Sequence, residues 1–121
     1  IDTIHYGTLA AATNNTSPVI NATNSGTVAE TFYIRGDDAY YLLDGNAIWT
    51  LGDHIGTNNF MHEFLNGTSW YHLSNETTKI LAPSVPVGEN ASFTLRITLP
   101  SCISRPGTYN TTVTIIATEA D

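Results

Sequence analysis

Residues 91–99 read ASFTLRITL. Phe93, Leu95, Ile97 and Leu99 alternate with Ser92, Thr94, Arg96 and Thr98. An apolar side chain at every second position is the period of a pleated strand with one face on a core and the other in water. Pro100 follows and stops the run, because it has no N–H to give to a ladder. A chain that commits nine residues to this pattern, and holds one Lys and no Gln, has little material for helices. Its abundant Thr, Val, Ile, Tyr and Phe fit a pleated sheet.

The same period recurs. In DTIHYG, Ile4 and Tyr6 share a face, and in VAETFYIR, Phe32 and Ile34 point inward. In GTYNTTVTIIAT, Tyr109, Thr111, Val113, Ile115 and Ala117 lie on one face. Thr108, Asn110, Thr112, Thr114 and Ile116 lie on the other. The middle is less regular. AYYLLDG, NAIWTLG, NFMHEFL and WYHLS read as short strands joined at Gly45, Gly52, Gly56 and Gly67, and LAPSVPVGENA reads as an extended loop. Short strands at steady spacing predict an all-β chain, an antiparallel β-sandwich of Ig-like or jelly-roll type. Its predicted core joins Phe93, Leu95, Ile97, Leu99, Tyr109, Val113 and Ile115 to Phe32, Ile34 and Trp49.

A chain of 121 residues is enough for one such domain. Only 12% of it is charged, and the net charge is −7, with Arg35, Lys79, Arg96 and Arg105 the positive side chains. Such a surface repels phosphate, which argues against nucleic acid as a partner. No apolar run is long enough for a membrane span, and no basic amphipathic stretch suits a membrane surface. Cys102 is the single cysteine, so it has no internal disulfide partner, and its turn-like setting predicts a half-buried thiol. The start at Ile1, without Met, suits a processed secreted protein or an excised segment.

Asn-X-Ser/Thr triplets begin at Asn14, Asn15, Asn21, Asn66, Asn75, Asn90 and Asn110, seven in all. Roughly two or three are expected by chance at this composition. None has Pro in the middle, so each is an acceptor pattern for an N-glycan. A glycan is bulky and must project into solvent. Asn110 and Asn21 satisfy that demand, since each alternates with inward-facing neighbours. The excess predicts covalent N-glycans and an extracellular location. Asn14 and Asn15 are adjacent, so one of the two carries the sugar.

The closing stretch GENASFTLRITLPSCISRPGTYNTTVTIIATEA resembles the second half of secreted Ig-like and jelly-roll surface domains. The opening IDTIHYGTLAAATNNTSPVINATNSGTVAETFYIRGDD is similar to TasA/camelysin-type fibre subunits and their archaeal surface-thread relatives. There, a short strand ends in Tyr/Phe-Gly-Thr, another ends in Asn-X-Gly, and an apolar strand ends in Gly. Residues 37–87 have no counterpart. The resemblance implies a β-sandwich subunit of an extracellular filament or pilus-like thread. Such subunits form homopolymers by donor-strand complementation, one copy's terminal strand filling a gap in the next copy's sheet. Residues 1–13 are then the donor strand, with Ile1, Ile4, Tyr6 and Leu9 as its large side chains and Ala10, Ala11 and Ala12 small enough for a narrow groove. The run NNTSP is expected to be a flexible hinge, and residues 14–121 the sandwich domain. If DTIHYG instead pairs within its own sheet, the chain is a closed monomer.

Other chemistry is thinly supported. Asp37, Asp38, Asp44 and Asn46 lack the spacing of a twelve-residue calcium loop and read as turn residues. His5, His54, His62 and His72 show no tight metal-ligand spacing, and His62 reads as a core-edge histidine beside Phe60 and Phe64. No serine sits in a nucleophile elbow, so neither an enzyme nor a cofactor is expected. Lys79, in TTKILA, raises an internal amide cross-link to Asn or Asp, against a plain exposed edge lysine. Trp49, Trp70, Tyr71, Tyr40 and Tyr41 raise the competing class, a monomeric cell-surface adhesion or carbohydrate-binding module. That reading needs exposed, coplanar rings, whereas Trp49 reads as core.

Overall fold

In the computed structural model, which describes residues 3–120, the longest predicted strand is two strands in two sheets. β1 spans Asn14–Thr16, β2 Ile20–Thr23, β3 Glu30–Arg35, β4 Ala39–Tyr41, β5 Ala47–Leu51 and β6 Asn59–Asn66. β7 spans Ser69–His72, β8 Lys79–Val85, β9 Asn90–Phe93, β10 Leu95–Thr98, β11 Tyr109–Asn110 and β12 Thr114–Glu119. The chain is all-β, in several sheets, with no helix among the described residues. The largest sheet runs β1-β10-β6-β5-β4-β11, with β7 on β6, and curls as a half-barrel. A three-stranded sheet runs β12-β3-β8, and β2 pairs with β9.

The predicted strand 91–99 changes sheets at Thr94. β9 pairs with β2, in register Ile20↔Phe93, while β10 pairs with β6 and β1. Ser17 makes the matching corner, its N–H bonding Leu95 O at 2.7 Å and its hydroxyl accepting Leu95 N–H at 2.9 Å. Pro18 follows. Corner strands of this kind let sheets cross over one core. The strand predicted over 107–118 divides likewise, β11 pairing with β4 and β12 with β3.

Those corners bring the predicted core together. Phe32, Ile34, Trp49, Phe93, Leu95, Ile97 and Leu99 are buried, and Tyr109, Val113 and Ile115 pack half-buried against them. Phe60 and Phe64 are the largest fully buried side chains. Each large side chain removed from water contributes about 1.5–3 kcal/mol. Gly36 lies where a Cβ would come within 2.9 Å of Leu73 Cβ, so only glycine fits there.

Several expectations fail locally. Pairing is not wholly antiparallel: β5 and β6 run parallel, Thr50 beside Asn59 and Leu51 beside Phe60. Parallel neighbours usually need a long crossover. Here only the end of β5 meets the start of β6, and the loop 52–58 curls back far enough to align them. LAPSVPV is not wholly loop, because β8 continues to Val85 through Pro83. β8 is an edge strand with register shifts, which is where proline is tolerated. NNT is not a hinge but β1, with Asn14↔Thr98 and Thr16↔Arg96. DTIHYG forms no strand in its described part: Gly7, at φ 82°, bends it. Cys102 is exposed rather than half-buried, because its backbone, not its side chain, faces Thr57 and Asn58.

Candidate functional site

Residues 3–9 form one wall of an open groove of about 910 Å³, lined by both apolar and polar side chains. Its floor comes from Trp49, His62, Phe93, Leu95, Ile97 and Leu99, and its walls include Ile20, the segment 107–113 and Ile115. Of the sequence-predicted donor residues, Ile4, Tyr6 and Leu9 are brought together there, each half-buried against the core. Ile1 lies outside the described residues. Ala10, Ala11 and Ala12 do not enter the groove. They are exposed in a turn closed by Thr13 N–H to Ala10 O at 3.3 Å, with Ala12 at φ 61°.

The segment is held by side chains. The Tyr6 hydroxyl bonds His62 Nε2 at 2.9 Å, and Asn15 Nδ2 donates to Tyr6 O at 2.7 Å. Burial raises the Tyr6 pKa and pushes His62 down to about 4, because an ion in this groove is poorly solvated. Apart from that Tyr6 carbonyl, the backbone of the segment makes no hydrogen bond with any described residue. Thr3–Leu9 makes no backbone–backbone hydrogen bond with any described residue. The segment is a wall of the groove without being a strand of either flanking sheet.

The triplet asparagines lie outside the core. Asn14, Asn15, Asn21, Asn66, Asn90 and Asn110 are exposed. Asn75 is half-buried, its Nδ2 donating to Asp38 Oδ1 at 3.1 Å. Their placement follows the sheet edges. β1 and β11 end the largest sheet, β2 and β9 are both edges of theirs, and each carries a triplet asparagine. Asn66 sits at the β6–β7 turn. β8 is blunted by Pro83 and its register shifts, and the Lys79 ammonium caps the His72 carbonyl on β7. β12 has no Pro, Lys or triplet, and Ile115 places it on the groove wall.

The remaining candidates separate. Asp38 accepts Leu51 N–H at 2.9 Å, while Asp44 pairs with Arg105 at 2.6 Å and accepts Asn46 N–H at 3.0 Å. The bond from Asn46, then Arg105, holds the Asp44 carboxyl below its usual range. His5 is exposed, His54 pairs with Asp53, and His72 Nδ1 lies 3.9 Å from Glu63. No group of three or more potential metal ligands is gathered among the described residues. Lys79 has no carboxylate within 4.0 Å among the described residues, its ammonium being turned to the His72 carbonyl.

The five aromatic residues form no common platform. Trp49 is buried and stacked on Tyr109 at 3.9 Å, and Tyr41 is buried. Tyr40 is exposed, Tyr71 stacks on Phe64, and the Trp70 face is covered by the Arg96 guanidinium at 4.2 Å. Two groove residues escaped the sequence reading. His62 was legible only as core-edge, since its partner Tyr6 is 56 positions away. Tyr109 was legible as core, but not as the ring against Trp49. No helix among the described residues is long and apolar enough to cross a membrane. No protein-family model matches the sequence, and no match was found among curated proteins or solved structures.

Proposed function

We propose that the chain is a structural subunit of an extracellular, N-glycosylated filament or pilus-like thread. Identical subunits join by donor-strand complementation, in the manner of the TasA/camelysin-type and archaeal thread proteins that its opening stretch resembles. The single observation that carries this reading is the groove. Thr3–Leu9 forms one wall of it, with three apolar side chains half-buried against the core and no backbone–backbone hydrogen bond. A segment so placed is exchangeable for the same segment of a neighbour, which would gain a ladder that the resident lacks. The edge of β12 beside the groove supplies unpaired backbone groups for that ladder.

On this reading the largest sheet is one layer of an Ig-like or jelly-roll sandwich. The β12-β3-β8 and β2-β9 sheets together make the other. Phe32 and Ile34 from one side, and Phe60, Phe64 and Leu95 from the other, share the core between them. Glycans at the edge-strand asparagines block unwanted pairing and leave β12 as the joint. A weakly charged, sugar-coated surface suits a location outside the cell. On this reading the exchange hinge is the Ala10–Thr13 turn rather than NNTSP, whose first three residues form β1.

The test is deletion of residues 1–13. Negative-stain microscopy should show polymers of the full chain and none of the deletion variant. The same segment fused after the C-terminus should restore a stable monomer. Filaments that assemble normally without residues 1–13 overturn the reading.

A further inference from the structure

Asn110 on β11 and Tyr40 on β4 stand directly opposite each other in register. The pair one step along, Tyr109 and Tyr41, points inward, the two rings meeting edge to face with centroids 5.2 Å apart. Alternation therefore turns Asn110 and Tyr40 to the outer face of the largest sheet, and both are exposed. Tyr40 is 36% exposed, and its ring meets no other ring or cation among the described residues. Its neighbour on the far side is Ala47 of β5, whose methyl covers little of it. Among the triplet asparagines that lie in strands, Asn110 is singular. Asn14 faces Thr98, Asn15 faces Ile97, Asn21 faces Ser92, Asn66 faces Ser69 and Asn90 faces Thr23. Only Asn110 has an aromatic ring opposite.

Residues directly opposite in an antiparallel pair hold their Cβ atoms about 5 Å apart. A sugar joined to Asn110 Nδ2 begins one amide beyond its Cβ, level with the Tyr40 ring. One face of a pyranose is made of C–H bonds, which are weakly positive, and the face of an aromatic ring is negative. The sugar hydroxyls and the phenol hydroxyl lie at the rims of the two rings, where water reaches them. We infer that Tyr40 is a binding subsite for the first pyranose of the N-glycan on Asn110. The sugar lies across the ring instead of standing away from the sheet. β11 is two residues long, and its Tyr109 stacks on Trp49 in the groove. A sugar that starts on β11 and rests on β4 fastens this short strand, and with it the groove wall formed by residues 107–113. The inference rests on the expected glycan at Asn110 and gives that glycan a seat.

The test uses freshly refolded, glycosylated full-length chain beside its Tyr40→Val and Asn110→Gln variants. Valine keeps the strand preference and removes the ring. In proton NMR spectra, the first sugar on Asn110 should resonate upfield of the first sugar on Asn66, because it lies over the Tyr40 ring. It should also show cross-peaks to the Tyr40 ring protons. Both signatures should vanish in Tyr40→Val, which retains the sugar. Asn110→Gln should lower the folding constant about fivefold in the native background, the weight of one aromatic contact, and leave it unchanged in the Tyr40→Val background. Sugar resonances that are the same with and without Tyr40, or equal losses from Asn110→Gln in both backgrounds, overturn the inference while leaving the glycan in place. Glycopeptide mass spectra that show Asn110 bare in native material overturn the glycan expectation at this site, and the inference with it.

Discussion

Thr23 Oγ1 donates a hydrogen bond to Asn90 Oδ1 at 2.6 Å, and Ser92 Oγ returns one to Asn21 Oδ1 at 2.5 Å. The triplets Asn21-Ala-Thr and Asn90-Ala-Ser lie opposite each other on β2 and β9, with Asn21 beside Ser92 and Thr23 beside Asn90. Each hydroxyl serves the other strand's amide. Both amide nitrogens, the atoms a sugar would join, are left unused by these bonds.

That geometry sharpens the glycan expectation. Asn21 and Asn90 should both be occupied, with Asn66 and Asn110. Of the adjacent pair, Asn14 should carry sugar and Asn15 should be bare, since its Nδ2 holds Tyr6 O. Asn75, half-buried on Asp38, should be bare as well. Glycopeptide mass spectrometry of native material reads all seven. A bare polypeptide mass would remove the extracellular reading.

Ile97 is 7% exposed on β10, between Asn15 of β1 and His62 of β6 in register. Ile97→Ala should lower unfolding free energy by about 2–5 kcal/mol through lost burial and the cavity left. Urea denaturation measures it. A loss below roughly 0.5 kcal/mol would mean that the side chain is not in a packed core.

His62 should make stability depend on pH. Its folded pKa of about 4 is below the ordinary value of 6.5, so between the two the unfolded chain binds more protons. The contribution is complete above about pH 6.5, falls as pH drops toward 4, and changes no further below. It amounts to about 3 kcal/mol. Denaturation midpoints across pH 3–8 should show this slope, and His62→Phe should flatten it.

Glu63 is buried on β6 and answered by Arg96 of β10, whose Nη2 donates at 2.9 Å and Nε at 3.2 Å. Arg96→Ala leaves that carboxylate without its cation and uncovers Trp70. A loss of about 2–3 kcal/mol is expected, tempered by the partial exposure of the arginine. Arg96→Met with Glu63→Gln should recover most of it, measured by the same denaturation.

What the sequence made legible was side-chain alternation. Phe93 through Leu99, and Phe32 with Ile34, read as inward because a two-residue period reports which face a residue takes. It does not report the backbone's partner. Alternation therefore ran through Thr94 without revealing the change of sheet, since the inward face serves both sheets there. The same blindness hid the state of residues 3–9. Ile4 and Tyr6 alternate as strand residues do, yet Gly7 breaks the backbone between Tyr6 and Leu9. Asn24 was missed altogether. It is fully buried, with Nδ2 bonded to Val28 O and Val85 O and Oδ1 accepting Gly26 N–H. Its one signal was Asn-Ser-Gly, a side-chain-closed turn.

The groove is made of residues scattered through the chain: Ile20 from β2, His62 from β6, Leu95 from β10 and Ile115 from β12. On a ribosome, residues 3–9 emerge before any of them. The seat exists only once β12 has arrived to pair with β3. Between those two moments the segment has nowhere to fold, and another molecule that has finished folding can offer it a place before its own body does. On the donor-strand proposal, the order of synthesis favours a first encounter between neighbours over one within a single molecule.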